Sequence, residues 1–167
     1  MTAPLTPDQL ADVVAGVSDP EIEVGLRDLG VLRSVSRADG RVQVHLAPTR
    51  LACPAQGEIA RRVRSALAEA APDEDIDIVW ERGAWQPTAV TANGRQALRD
   101  GGYRVAGSTP RCPYCGGDDV ARAGSFGGAV CKVPFDCRGC GSPFDVIGTA
   151  GCHALLPYPT DRPGRSG

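Results

Sequence analysis

Two Cys-x-x-Cys pairs constrain this chain more than anything else in it. They are Cys112-Pro113-Tyr114-Cys115 and Cys137-Arg138-Gly139-Cys140, with 21 residues between Cys115 and Cys137. Each pair offers two thiolates from one tight turn, and two such turns suit a tetrahedral ion. A glycine follows the second cysteine of each pair, Gly116 and Gly141. Glycine there lets backbone amides turn toward the sulfurs. The intervening stretch is slightly longer than in the commonest sites of this kind, yet within reach of a β-ribbon. Sites of this class are mostly closed and structural, so Cys112, Cys115, Cys137 and Cys140 are expected to hold zinc. A rubredoxin-like iron site, red and redox-active, is the alternative. The module is too small to fold without its ion.

Composition makes the same demand on the whole second half. The chain has 21 Gly and 14 Pro, many of them after residue 82, and only 2 Trp, 3 Tyr and 3 Phe. That half is loop-rich and needs a stabiliser other than a hydrophobic core. Charge excludes one function class. Residues 1–90 carry 9 Arg and no Lys against 14 Asp and Glu, a balance of −5, and residues 111–145 balance to zero. A nucleic-acid-binding ribbon would show a basic face, so no nucleic-acid partner is expected. Met1 to Leu10 is polar and holds two prolines. It reads as neither signal peptide nor membrane span. A cytoplasmic protein with reduced cysteines and no membrane partner is therefore expected.

Ahead of the cysteine module, the pattern predicts α-β-β-α-β. Thr6-Pro7-Asp8-Gln9 is a capping box that starts a helix, with Leu10, Val13 and Val14 at helical spacing and Gly16 as its stop. Val31–Arg37 and Arg41–Leu46 read as strands joined by a turn at Ala38-Asp39-Gly40, with Val42, Val44 and Leu46 alternating inward. Cys53-Pro54 opens a second helix with a buried stripe of Ile59, Val63, Ala66, Leu67 and Ala70. Ile76, Ile78 and Trp80 make a third strand. The expected class is α+β, a small domain over residues 1–82 with helices on one face of a three-stranded sheet. A linker with a short helix then spans 83–110, a four-cysteine zinc ribbon spans 111–148, and a flexible tail covers 149–167.

Three cysteines lie outside the paired knuckles. Cys53 stands at the start of a predicted helix, where unpaired N–H groups and the helix dipole favour a thiolate. Such a thiolate can attack, or can bind a soft metal or an iron–sulfur unit. Cysteine at a helix start is also a common structural accident. Cys131 precedes Lys132, the only lysine in the chain. An ammonium beside a thiol can lower its pKa, although a buried free cysteine that merely packs is as common. Cys152 and His153 fall in the tail, where a passenger role outweighs an accessory ligand.

Asp19-Pro20-Glu21-Ile22, then Asp28-Leu29-Gly30-Val31, then Pro48-Thr49 and Cys53-Pro54 resemble the signature of SufT-like iron–sulfur cluster assembly domains over about residues 8–82. The resemblance implies that Cys53 matches that family's reactive cysteine. It further implies that Glu21 and Asp28 match the acidic loop residues lining the same cleft. Further on, Trp85, the short helix Gly94–Asp100, Cys112, Cys115, Ser125 to Gly127, Cys131-Lys132, Cys137, Cys140 and Pro143 to Asp145 resemble the D subunits of phenylacetyl-CoA 1,2-epoxidase systems. Departures from the pattern are Glu23 in place of proline, Ala47 in place of threonine and Ala52 in place of glycine. Thr149 stands where a terminal cysteine is usual. None of these removes a candidate ligand.

The resemblance implies an accessory subunit of that epoxidase system in aerobic phenylacetate degradation, assisting assembly or repair of iron–sulfur or di-iron centres. Its partners would be the oxygenase and reductase subunits, with room for a homodimer. It would not itself be an enzyme. Zinc would be structural, and iron or an iron–sulfur cluster would rest transiently at Cys53. The residues agree on the negative side. With only His45 and His153 and no Glu-x-x-His, the chain cannot build a carboxylate-bridged di-iron bundle, and it has no glycine-rich nucleotide loop. Two other readings compete: a purely structural docking subunit, and a redox protein using Cys53 and Cys131 as a thiol pair.

Overall fold

A computed structural model describes residues 4–50, 53–107, 110–124 and 131–148. The tail, with Cys152 and His153, and the segment Ser125–Gly127 lie outside the described residues.

The first helix, α1 (Pro7–Ala15), begins as its sequence dictates. The Thr6 hydroxyl accepts from the Gln9 N–H, and the Gln9 side chain accepts in return from the Thr6 N–H at 2.9 Å. Leu10 and Val14 are fully buried. Two antiparallel strands follow, β1 (Leu32–Ala38) and β2 (Arg41–Leu46), from Leu32 opposite Leu46 to Ala38 opposite Arg41. Asp39 and Gly40 both take positive φ, the twist that a two-residue hairpin needs. Val42, Val44 and Leu46 point inward with no exposed surface.

Helix α2 (Gln56–Ala70) carries the chain across to β3 (Ile76–Trp80), which pairs parallel to β2 with Val42 opposite Ile76. The sheet order is β1-β2-β3, and parallel pairing requires such a crossover. Ile59, Val63 and Leu67 form the buried stripe of α2, whereas Ala70 is exposed at its end. The helix also starts later than its sequence predicts. Cys53 and Pro54 belong to a preceding turn, in which the Gln56 N–H donates to the Cys53 carbonyl at 3.4 Å, and Ala55 is the N-cap.

The segment expected as a linker is packed. Trp85 is buried and its indole N–H donates to the Leu29 carbonyl at 2.8 Å. After a 3-10 turn (Pro87–Ala89), helix α3 (Ala92–Asp100) is capped by Thr91, whose hydroxyl accepts from the Gly94 N–H at 3.0 Å. Leu98 of α3 lies in the same core as Leu26 and Leu29.

A second sheet has the order β4-β7-β6-β5, built from β4 (Tyr103–Val105), β5 (Val120–Arg122), β6 (Lys132–Cys137) and β7 (Pro143–Ile147). Strand β4 runs parallel to β7, and the other pairs are antiparallel. One face packs its own small core of Val133, Phe135, Phe144 and Val146, with the two phenyl rings stacked at 5.8 Å. Ile147 faces the other way, because strand side chains alternate, and joins the large core with Trp85. The two sheets are thereby tied through one continuous apolar contact. Among the described residues, no helix is long and apolar enough to cross a membrane.

Candidate metal and thiol sites

The four knuckle cysteines converge. Their sulfurs all lie within 4.8 Å of one another, with Cys112 to Cys140 and Cys115 to Cys137 each at 3.6 Å. A tetrahedron with metal–sulfur bonds of about 2.3 Å has edges of about 3.8 Å, so this spacing fits a single thiolate-bound ion. Each knuckle is a hydrogen-bonded turn. The Gly116 N–H donates to the Cys112 carbonyl at 3.0 Å, and the Gly141 N–H donates to the Cys137 carbonyl at 2.8 Å. Both glycines sit at positive φ, +74° and +76°, which is why glycine stands there. The guanidinium of Arg104 also clamps the Arg111 and Cys112 carbonyls at 2.7 and 2.9 Å.

The sulfurs differ in acidity. The Ser142 hydroxyl and its backbone N–H bring Cys140 down to about 6. The Gly117 N–H also lowers Cys115, but the thiols of Cys137, Cys140 and Cys112 outweigh it and push Cys115 up to about 12. Four thiols that push one another's protons about in this way describe a site whose charge a cation would balance.

A second cluster assembles where the two sheets meet. Asp19 is buried, and its carboxylate accepts from the Glu21 and Ile22 N–H groups at 2.8 and 3.1 Å. It thus winds the loop that presents Glu21. The thiol of Cys131, just ahead of β6, donates to the Glu21 carboxylate at 3.7 Å. The neighbouring Lys132 ammonium donates to the Glu21 carbonyl at 3.1 Å and to the Tyr103 hydroxyl at 3.2 Å, and lies 4.8 Å over the Tyr103 ring. Cys53 comes in from the turn before α2 and is close enough to Cys131 to raise that thiol's proton affinity. Residues 21, 53 and 131, far apart in the chain, meet here.

Two expectations about these thiols need correction. The helix-start amides of Ala55 and Gln56 do act on Cys53, and both lower its pKa. Burial outweighs them, however, and with Asp19 and Glu21 adding negative charge the thiol is raised. Lys132 likewise lowers Cys131, but it is the weakest influence. Burial first, then Cys53, Glu21 and Asp19, push Cys131 up to about 12. Both thiols are protonated at neutral pH. The Lys132 charge itself persists. Burial works against it, and the Tyr103 hydroxyl together with Cys131 and Asp145 more than compensates.

Asp28 does not join the cluster. Its carboxylate accepts a 2.5 Å hydrogen bond from the Thr91 hydroxyl and its carbonyl accepts from the Thr91 N–H, so it holds the cap of α3. The carboxylates that act on Cys53 are those of Asp19 and Glu21. Asp19 and Tyr103 were missed as site residues by sequence reasoning. Asp19-Pro20 carried a signal for the first, as a side-chain-capped turn. Nothing local pointed to Tyr103.

Residues 7–78 match the family model of iron–sulfur cluster assembly proteins, and residues 103–148 match that of the PaaD zinc beta ribbon domain. Over 158 residues the chain is 28% identical to the putative D subunit of the 1,2-phenylacetyl-CoA epoxidase of Escherichia coli (strain K12), covering 87% of this chain and 96% of that relative. Among solved structures, a domain of unknown function from Bacillus anthracis is 23% identical with a TM-score of 0.48, covering 55% of this chain and 90% of that one. A conserved hypothetical protein from Thermotoga maritima is 19% identical with a TM-score of 0.49, covering 57% and 96%.

Proposed function

We propose that this chain, an iron–sulfur cluster assembly domain joined to a PaaD-type zinc ribbon, is an accessory maturation subunit of a phenylacetyl-CoA epoxidase system. In this reading it is not itself the oxygenase. Its partners are the oxygenase and reductase subunits, whose iron–sulfur or di-iron centres it helps to assemble or repair. The four knuckle cysteines hold a structural zinc. Cys53, with Cys131 and Glu21, takes iron or an iron–sulfur unit as transient cargo.

The observation that carries this reading is the contact between Cys131 and Glu21, which sets a ribbon thiol on the acidic loop beside Cys53. Its chemistry suits a carrier. The carboxylates of Asp19 and Glu21, which add to burial in keeping both thiols protonated, also attract a cation. Arrival of the cargo then displaces the protons, and reprotonation favours its release. A permanent site would instead keep its thiolates charged and its ligands closed. Among the described residues, only the knuckle cysteines bring three or more ligand atoms within 4.8 Å of one another. The looser spacing of ligand atoms around Cys53 supports a transient role.

The test is anaerobic purification with metal and sulfide analysis of the wild type, Cys53→Ser and Cys131→Ser. Zinc should stay near one equivalent per chain in all three. Iron bound by the purified protein, and cluster occupancy of the client, should fall in both variants. Unchanged client maturation by Cys53→Ser would refute the carrier role. The proximity of Cys53 and Cys131 also favours a second reading, as a thiol redox pair. The raised pKa of both thiols works against it, since the thiolate is the attacking form. A stable Cys53–Cys131 disulfide, seen by mass spectrometry of the anaerobic protein, would favour that alternative.

A further inference from the structure

Four guanidinium groups gather in one cleft beside the first knuckle. Arg95 and Arg99 of α3, Arg104 of β4 and Arg111 before the first knuckle line one cleft with Tyr103, Val105 and Pro110, around a volume of about 250 Å³. The chain as a whole has a net charge of −2, so the cleft is a locally positive region on an acidic protein. Like charges around one cavity repel and cost stability unless something neutralises them. Among the described residues, none of these four arginines forms an ion pair with a carboxylate, although eight other such pairs are present.

The arginines are positioned without being neutralised. Arg95 donates to the Pro87 carbonyl at 2.7 Å, Arg104 donates to the carbonyls of Arg111 and Cys112, and Arg99 donates to the Gln96 side-chain carbonyl. All these acceptors are uncharged. A guanidinium has five N–H donors, so each of the three keeps donors to spare after these bonds. Helix α3 and strand β4 fix the walls. Fixed guanidinium forks with full charge are the usual means of binding phosphate oxygens in pairs.

We infer that this cleft binds a phosphate-bearing anion, with the pyrophosphate group as the chemical unit recognised. The volume exceeds what one carboxylate needs, and four forks offer more paired donors than one carboxylate can accept. The same chemistry could come from inorganic pyrophosphate or from a nucleoside diphosphate. Tyr103 in the wall gives the latter an apolar surface for the part beyond the phosphates.

The test uses the full-length, zinc-loaded protein and calorimetric titration with pyrophosphate, ADP and sulfate. Saturable binding of pyrophosphate at least about tenfold tighter than sulfate is expected. ADP binding tighter than pyrophosphate would identify the nucleotide as the source, and equal binding would identify the inorganic anion. Arg99→Gln should weaken either by about tenfold with little change in the thermal midpoint, because Arg99 is only half-buried and its side chain bonds to the exposed Gln96. Arg99→Lys should recover part of the loss, and Arg95→Gln provides an independent second variant. Equal binding of all three anions, no saturation, or affinity indifferent to both substitutions would overturn the inference. So would an acidic peptide that binds more tightly than pyrophosphate.

Discussion

Glu21 is the residue on which the thiol cluster turns. Its carboxylate accepts from Cys131 while raising the proton affinity of both Cys131 and Cys53. Replacing it with glutamine keeps an acceptor and removes the charge. The Cys131 midpoint should then fall from about 12 while staying above the ordinary 9.0, because burial, the largest cause, is untouched. Alkylation rate against pH, followed at each cysteine by mass spectrometry, reads this directly, and an unmoved or rising midpoint would contradict the assignment. The same shift has a stability consequence. A thiol raised from 9.0 to about 12 favours the fold fully below pH 9, and that contribution drains away as pH rises through the window toward 12. Cys131→Ala should flatten the loss of stability between those values, measured by denaturant titration at stepped pH. The candidacy of Cys53 and Glu21 was legible from neighbouring residues. Their meeting with Cys131 was not, because that contact joins positions 110 residues apart. Asp28 misled for a related reason: a loop acid can cap a helix far along the chain, here α3 through Thr91.

Strand β6 serves both sites. Its Cys137 end belongs to a knuckle, and its Lys132 end abuts the Glu21 loop. At about 3.4 Å per residue the strand holds Cys131 and Cys137 about 20 Å apart. Cys131 is therefore too far to be an accessory ligand of the knuckle ion and is free to serve the other cluster. What keeps the strand pair in place is its partner β7, whose Ile147 is fully buried in the large core and whose following Gly148 lies under Trp85. A Cβ on Gly148 would come within 2.2 Å of the Trp85 ring, at a φ of +72° that resists any side chain. Gly148→Ala should thus cost about 3 kcal/mol, from strain and overpacking together. A chemical-denaturation difference within about 0.5 kcal/mol of zero would show that Trp85 yields. The strands and helices themselves were readable, since period-2 alternation and capping are local signals. The packed character of residues 83–105 was not. Glycine and proline there suggested a tether, and only the tertiary contacts of Trp85 and Leu98 make it part of the core.

For the whole molecule, the consequence is that the knuckle cysteines and the contact of Cys131 with Glu21 are mechanically coupled through one sheet. The ribbon's own apolar core is small, with Val133, Phe135, Phe144 and Val146 around the buried Cys112 and Cys137. Without an ion, four thiols in mutual contact cannot all ionise, and little else holds the knuckles together. The remainder, from Leu10 to Leu98, has a larger core of mainly aliphatic side chains over a three-stranded sheet, to which the second sheet adds Ile147. Removing zinc with a strong chelator should therefore loosen β5, β6 and β7 and leave α1, α2 and β2 protected from hydrogen exchange. Cys131, at the far end of β6, should lose its seat on Glu21 and become alkylated many-fold faster at fixed pH. Cys53, held by the turn before α2, should respond less. Readdition of zinc should restore both patterns, because neither change breaks a covalent bond. If zinc loss leaves Cys131 as slow to react as before, the ribbon is held by the Ile147 and Trp85 contacts alone. The knuckles would then stabilise only their own tip, and the zinc would have no part in seating Cys131 on Glu21.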